Sequence, residues 1–160
     1  MKYTVNVCLL FLAICFGSCG DRQQVGTTSG KEEALIFPRG EKIANSNFVG
    51  TAWLTSLVAA DSINQTAVGS VTFEPGARTN WHSHPGGQII LALEGEGYYQ
   101  EKGSPKVVLR KGGVAKCPAN VPHWHGASAD QKFIQIAITG REKGETVWLQ
   151  PVTDEEYNNQ

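Results

Sequence analysis

The sequence predicts an all-β fold, one antiparallel domain of the sandwich or barrel class. Three observations carry that expectation. Short apolar runs recur at close to the spacing of about 8–12 residues usual in such folds. Turn-forming residues separate them, with 18 Gly and 7 Pro in 160 residues. No stretch inside the domain keeps the 3.6-residue apolar period of a helix for the roughly ten residues a core helix needs. The length suits one domain with a proper core and not two. A composition of 41% hydrophobic and 18% charged residues excludes a disordered chain.

The elements follow in chain order. Lys2 precedes an apolar run from Tyr3 to Phe16, broken only by Thr4 and Asn6. At roughly 14 residues it is short of the ~20 that span a bilayer, so residues 1–19 read as a secretory signal segment. It ends in Phe16-Gly17-Ser18-Cys19. Small residues directly before a Cys resemble the lipobox of bacterial lipoproteins, in which that Cys is acylated. The competing reading is an ordinary signal peptide cleaved nearby. Several acyl chains at ~0.8 kcal/mol per buried CH₂ would anchor the mature protein firmly. The expectation is therefore export across the inner membrane and lipid anchoring in the cell envelope through Cys19, with no other membrane contact. Residues 20–33 are polar and small and read as a flexible tether. Residues 34–160 form the domain.

Within it, strands are expected at Thr51–Val58, Thr66–Phe73, Gln88–Leu93, Gly97–Gln100, Lys106–Leu109, Val114–Cys117, Trp124–Ala127, Phe133–Ile138 and Val147–Leu149. Glu74-Pro75-Gly76, Pro85-Gly86-Gly87, Lys102-Gly103-Ser104-Pro105 and Lys111-Gly112-Gly113 supply the turns between them. A short helix is expected after Val152, with Thr153 as N-cap and Glu156 completing a capping box. Cys8 and Cys15 fall in the signal segment and Cys19 takes the lipid, which leaves Cys117 alone and no internal disulfide. The net charge of -1, with both signs interspersed, gives no basic stripe for nucleic acid.

The chemistry concentrates in two stretches. In Trp81-His82-Ser83-His84-Pro85-Gly86-Gly87-Gln88, strand alternation turns His82 and His84 to one face. Two imidazoles side by side offer neutral nitrogen ligands suited to Zn, Mn, Fe, Ni or Cu. The Pro-Gly-Gly turn returns the chain so that Gln88 starts the next strand beside them. Pro118-Ala119-Asn120-Val121-Pro122-His123-Trp124-His125 supplies the other two of the 4 histidines in the chain. A random scatter would not gather them so.

Gly76-x5-His82-x-His84-x3-Gln88-x6-Gly95 resembles the first cupin motif, and Gly112-x5-Pro118-x4-His123 the second. More narrowly, the run from Gly69 to Pro85, with His123-Trp124-His125-Gly126-Ala127 and Val152–Tyr157, is similar to small bacterial cupins that accompany carboxymuconolactone decarboxylase-like domains. That group includes manganese-dependent cupin hydroxynitrile lyases. The likeness runs from about Phe37 to Tyr157. It implies a cupin jelly-roll barrel with one divalent metal ion held by His82, His84, Gln88 and His123. Manganese comes first, with Fe, Ni, Co and Zn also acceptable to such ligands. It also implies a homodimer formed through an edge strand. Two positions depart from the common pattern: Gln88 stands for the usual Glu, as in this subgroup, and Asn120 stands where many cupins have Gly. Asn tolerates a positive φ. With three imidazoles and an amide the ion keeps its full charge, which strengthens it as a Lewis acid and favours an anionic group on the substrate.

Other residues are weighed against that centre. His125 shares the face of His123 and offers a further ligand, a donor to a ligand, or a proton shuttle; the last two are favoured. Trp81 and Trp124 read as packing beside the site. Arg78 reads as a surface residue, with anion binding as the alternative, and Cys117 as a packed thiol. Gln135 stands where some hydroxynitrile-lyase relatives carry His, and an amide does not titrate near neutral pH, so cyanohydrin chemistry is not the expectation. The function expected is an extracytoplasmic metal-dependent lyase, isomerase or oxygenase acting on a small oxygenated molecule, with His125 as its catalytic proton carrier. The alternative is a cupin that binds a small ligand or the metal without turnover.

Overall fold

The computed structural model describes residues 35–159. The expected signal segment, Cys19 and the expected tether lie outside the described residues. In chain order the strands are β1 (Glu41–Lys42), β2 (Phe48–Val49), β3 (Ala52–Val58), β4 (Thr66–Phe73), β5 (Arg78–Thr79), β6 (His82–Ser83) and β7 (Gln88–Glu101). They continue with β8 (Val107–Arg110), β9 (Val114–Cys117), β10 (His123–Ala127), β11 (Phe133–Gly140) and β12 (Val147–Trp148), and the chain closes with helix α1 (Asp154–Asn158). All pairings are antiparallel and the sheet curls into a half-barrel.

The largest difference from the sequence reading is at Glu94-Gly95-Glu96, expected as a break between two strands. The structure runs straight through it, making β7 a single strand of 14 residues. Its first half pairs with β11 and β9, its second with β10 and β8, so one strand serves both walls. The change of wall happens at a bulge. Ile134 faces Glu94, but the next residue, Gln135, faces Ala92, leaving Leu93 without a counterpart. Burial then changes phase, from Gln88, Ile90 and Ala92 to Gly97 and Tyr99. An inserted residue does this because side chains alternate with period two. Gly95 sits at the bend with φ 75, and a Cβ there would overlap the Lys132 carbonyl oxygen.

The walls enclose one main core, in which Phe73, Ile90 and Phe133 are fully buried. Trp81 and Trp124 pack in a second cluster with Val152 and Tyr157, under α1. That helix carries the expected capping box: Glu156 N–H donates to Thr153 Oγ1 at 3.1 Å and Thr153 N–H to Glu156 Oε2 at 2.9 Å. Arg78 corrects the sequence reading, being neither on the surface nor free for an anion. It is buried, donates to the Val152 carbonyl at 3.0 Å and pairs with Asp154 at 2.6 Å, tying β5 to the helix. The short strands β1, β2 and β5 lie outside the expected strands, because two residues carry no periodicity to read.

Gly95→Ala combines a left-handed φ with a steric overlap and should lower stability by about 2 kcal/mol or more. Gly103→Ala has a similar φ of 82 but nothing within 4 Å, and should lose about 1 kcal/mol. Urea midpoints for the two variants check the difference.

Candidate metal centre

The two histidine stretches meet because β6 and β10 pair with His123 directly opposite His82. Opposed side chains on neighbouring strands stand about 5 Å apart at Cβ, and the two rings lie 4.4 Å apart between centroids. His84 lies 5.0 Å from His82 and 5.4 Å from His123; His125 lies 5.2 Å and 6.1 Å from the same two rings. One ring nitrogen from each of His82, His123 and His125 falls within 4.8 Å of the others, so three histidines can hold a metal ion here. All four rings are buried.

Hydrogen bonds fix how most of these groups face. The Nδ1–H of His82 donates to the Asn80 carbonyl and that of His123 to the Val121 carbonyl, each at 2.9 Å. A carbonyl only accepts, so both rings carry their proton on Nδ1 and leave Nε2 with a lone pair. His84 Nδ1 is 3.1 Å from Thr146 Oγ1. Gln88 donates from Nε2 to Thr139 Oγ1 at 2.9 Å, which turns its carbonyl oxygen the other way. His84 Nε2, His123 Nε2 and Gln88 Oε1 are buried without a hydrogen-bond partner. An unpaired buried acceptor costs ~1–3 kcal/mol, so unpaired acceptors beside histidines that can hold a metal suit a cation. His125 differs: neither of its ring nitrogens has a partner, and its ring packs edge-on against Phe73 at 5.8 Å.

A cavity of about 300 Å³ opens beside these groups. His82, His84, Gln88 and His125 form one side of it, and Leu54, Val58, Val68, Val71 and Ala137 make an apolar wall. Trp148 in β12 lies 4.8 Å from the His82 ring and 5.8 Å from Phe48, both also in the lining. Thr139, Thr146, Arg141 and Trp148 escaped the sequence reading. Thr139 has a legible signal, since it shares the inward phase of β11; Thr146 and Arg141 come from a connecting loop with no period to read. Gln135 is fully buried, with neither amide atom partnered. Cys117 is a buried free thiol pushed up to about 12 by burial.

The Cupin domain family matches residues 69–138. A (R)-mandelonitrile lyase from Granulicella tundricola is 40% identical over 111 residues, 69% of this chain and 85% of that protein. A solved cupin-like protein from Thermotoga maritima is 47% identical with a TM-score of 0.75, covering 78% of this chain and 95% of its own. A cupin-2 domain from Rhodospirillum rubrum, at 15% identity, shares the fold with a TM-score of 0.59 over 77% of this chain and 82% of its own.

Burial dominates the electrostatics. It drives the His82 and His125 rings well below the ordinary imidazole range and lowers His123 as well. It takes His84 to about 3, helped by His123 and by the positive charge of Arg141. The folded protein therefore keeps these rings uncharged where the unfolded chain, at about 6.5, would protonate them. Stability from this source is complete above that value and is lost as pH falls toward the folded ones, at up to ~1.4 kcal/mol per pH unit for each ring. Metal-stripped protein should show a urea midpoint that is level from pH 8 to about 7 and falls below about 6.5. A variant with His84→Gln and His125→Gln should fall less steeply.

Proposed function

The chain belongs to the cupin family, and from that premise we propose a metal-dependent enzyme that binds one divalent ion, manganese first, through His82, His84, Gln88 and His123. The observation that carries this reading is the division of labour within each side chain. The Nδ1 atoms of three histidines and the Nε2 of Gln88 lie on protein oxygens, while unpartnered acceptors remain on the other side. Ligand imidazoles are held this way by a hydrogen bond at the second nitrogen. His84 fits when Nδ1 keeps its proton and donates to Thr146. His125 has no such anchor, which favours a proton-carrying role over ligation even though its ring lies within reach.

A bound divalent cation supplies Lewis-acid polarisation of a substrate oxygen. The chain's residues do the rest. Apolar walls exclude water, and Phe48 with Trp148 narrows one side of the cavity. His125 is uncharged, so one ring nitrogen can take a proton from the substrate and the other can give one back. A lyase, isomerase or oxygenase acting on a small oxygenated molecule matches these parts. Gln135 gives no second titrating group in the interior. By the lipobox reading of Cys19 the protein acts in the cell envelope, held by its lipid. We extend the proposal to a homodimer formed through an exposed sheet edge.

Elemental analysis of protein purified without added metal should find about one divalent ion per chain. His82→Ala and His123→Ala should lose it, with affinity down at least ~10- to 100-fold. His125→Ala should keep the metal yet lower turnover ~100-fold in a screen of lactones, diketones and cyanohydrins. Loss of the metal in His125→Ala with retention in His84→Ala would transfer ligation to His125. Saturable binding without product from any class would make the protein a binding module.

A further inference from the structure

The cavity wall carries one formally charged side chain. Among the described residues lining it, Arg141 is the only Lys or Arg, and there is no Asp or Glu. The four groups facing it beside the candidate metal centre are imidazoles, kept uncharged, and an amide. Arg141 is also incompletely used. Its bonds run through Nη1, to Glu145 at 2.7 Å and Thr146 at 3.1 Å, and none is made by Nε or Nη2 among the described residues. Glu145 is a weak partner, with a side chain 87% exposed and no place in the cavity lining. Exposed pairs of this kind contribute only ~0–1 kcal/mol. Arg141 also marks which end of the cavity is polar, because Thr146 connects it directly to His84.

We propose that Arg141 reads a carboxylate, so that the cavity takes a small organic acid with its anionic end toward Arg141 and His84 and its apolar body against Leu54, Val58, Val68, Val71 and Ala137. This rests on the reading of the cavity as the substrate site and adds the class of molecule it accepts. A guanidinium presents paired N–H donors that match the two oxygens of a carboxylate, and such charge-assisted pairs are about twice as strong as neutral ones. Among the described residues the apolar wall carries no cation, its polar side chain between Leu54 and Val58 being the Ser56 hydroxyl, so a monoacid fits better than a diacid. A neutral molecule of the same shape leaves the guanidinium only its pairing with the exposed Glu145.

The test compares phenylacetate and hexanoate with phenylacetamide and hexanamide by calorimetric titration, on both metal-loaded and metal-stripped protein. In the native protein the acids should bind at least about 10-fold tighter than their amides, the worth of a charged hydrogen-bonded pair. Arg141→Gln should reduce that ratio to about 2 or less, whereas Arg141→Lys should keep part of it. Glu145→Gln removes the competing carboxylate and should tighten acid binding about 2- to 3-fold. A ratio near one in the native protein, no binding of either acid, or a full preference surviving in Arg141→Gln overturns the inference. If the surviving preference also needs metal, the metal reads the acid in place of Arg141 and the inference falls while the metal reading stands. If it depends on Arg141 in protein that never holds metal, the inference stands and the metal reading falls.

Discussion

One residue pairing, His82 against His123 across β6 and β10, holds the site together. The two histidine stretches are separated by roughly forty residues of chain, 14 of them in β7. β10 lies beside the second half of β7 and, on its other side, beside β5 and β6. A slip of one residue in that register would turn every side chain of the strand to the opposite face, and His123 would turn away from His82. Everything chemical in the molecule therefore depends on a pairing made by a strand only two residues long.

What keeps so short a strand in place is the surrounding backbone and not the strand itself. The Trp81 N–H donates to the Gln150 carbonyl and the Leu149 N–H to the Trp81 carbonyl, just past β12, and the Asn80 N–H donates to the Asn47 carbonyl. Buried polar side chains then set the details. Each imidazole nitrogen that meets a protein oxygen determines where the other one faces, and Thr139 does the same for the Gln88 amide. Leaving several acceptors unpaired in a dry interior is unfavourable for the protein alone. Burying four imidazoles also ties folding to pH. Both are consistent with a region shaped for something other than stability.

Much of this was legible beforehand. Period-two runs gave Thr66–Phe73 and Val114–Cys117 with their observed bounds, and the Thr153–Glu156 pattern gave the terminal cap. Asn120 takes φ 62, as its place in a Gly-type turn position requires. The clustering of all the histidines pointed to the site. Three things stayed hidden, for different reasons. The bulge at Leu93 depends on pairing with β11, so the local sequence around Gly95 reads as a break. Arg78 looks like a surface cation until Asp154 and the Val152 carbonyl, more than seventy residues on, are brought to it. Thr146 and Arg141 lie on a loop, where position is set by what the loop crosses.

The tail is the unexpected brace. α1 touches three neighbouring stretches of one wall at once: Asp154 holds Arg78, Glu156 accepts from the Trp81 indole at 3.2 Å, and the Tyr157 hydroxyl donates to the Ala127 carbonyl at 2.9 Å. Lys106 adds a bond to the Tyr157 carbonyl at 2.7 Å. Five residues of helix thus clasp the strands that carry His82 and His123 from behind. For anyone labelling or immobilising this protein, the carboxyl end is the wrong handle. A fusion or affinity tag joined there pulls on the fastening of the histidine strands. The exposed hairpin at Gly103, with open space around it, is the gentler point of attachment.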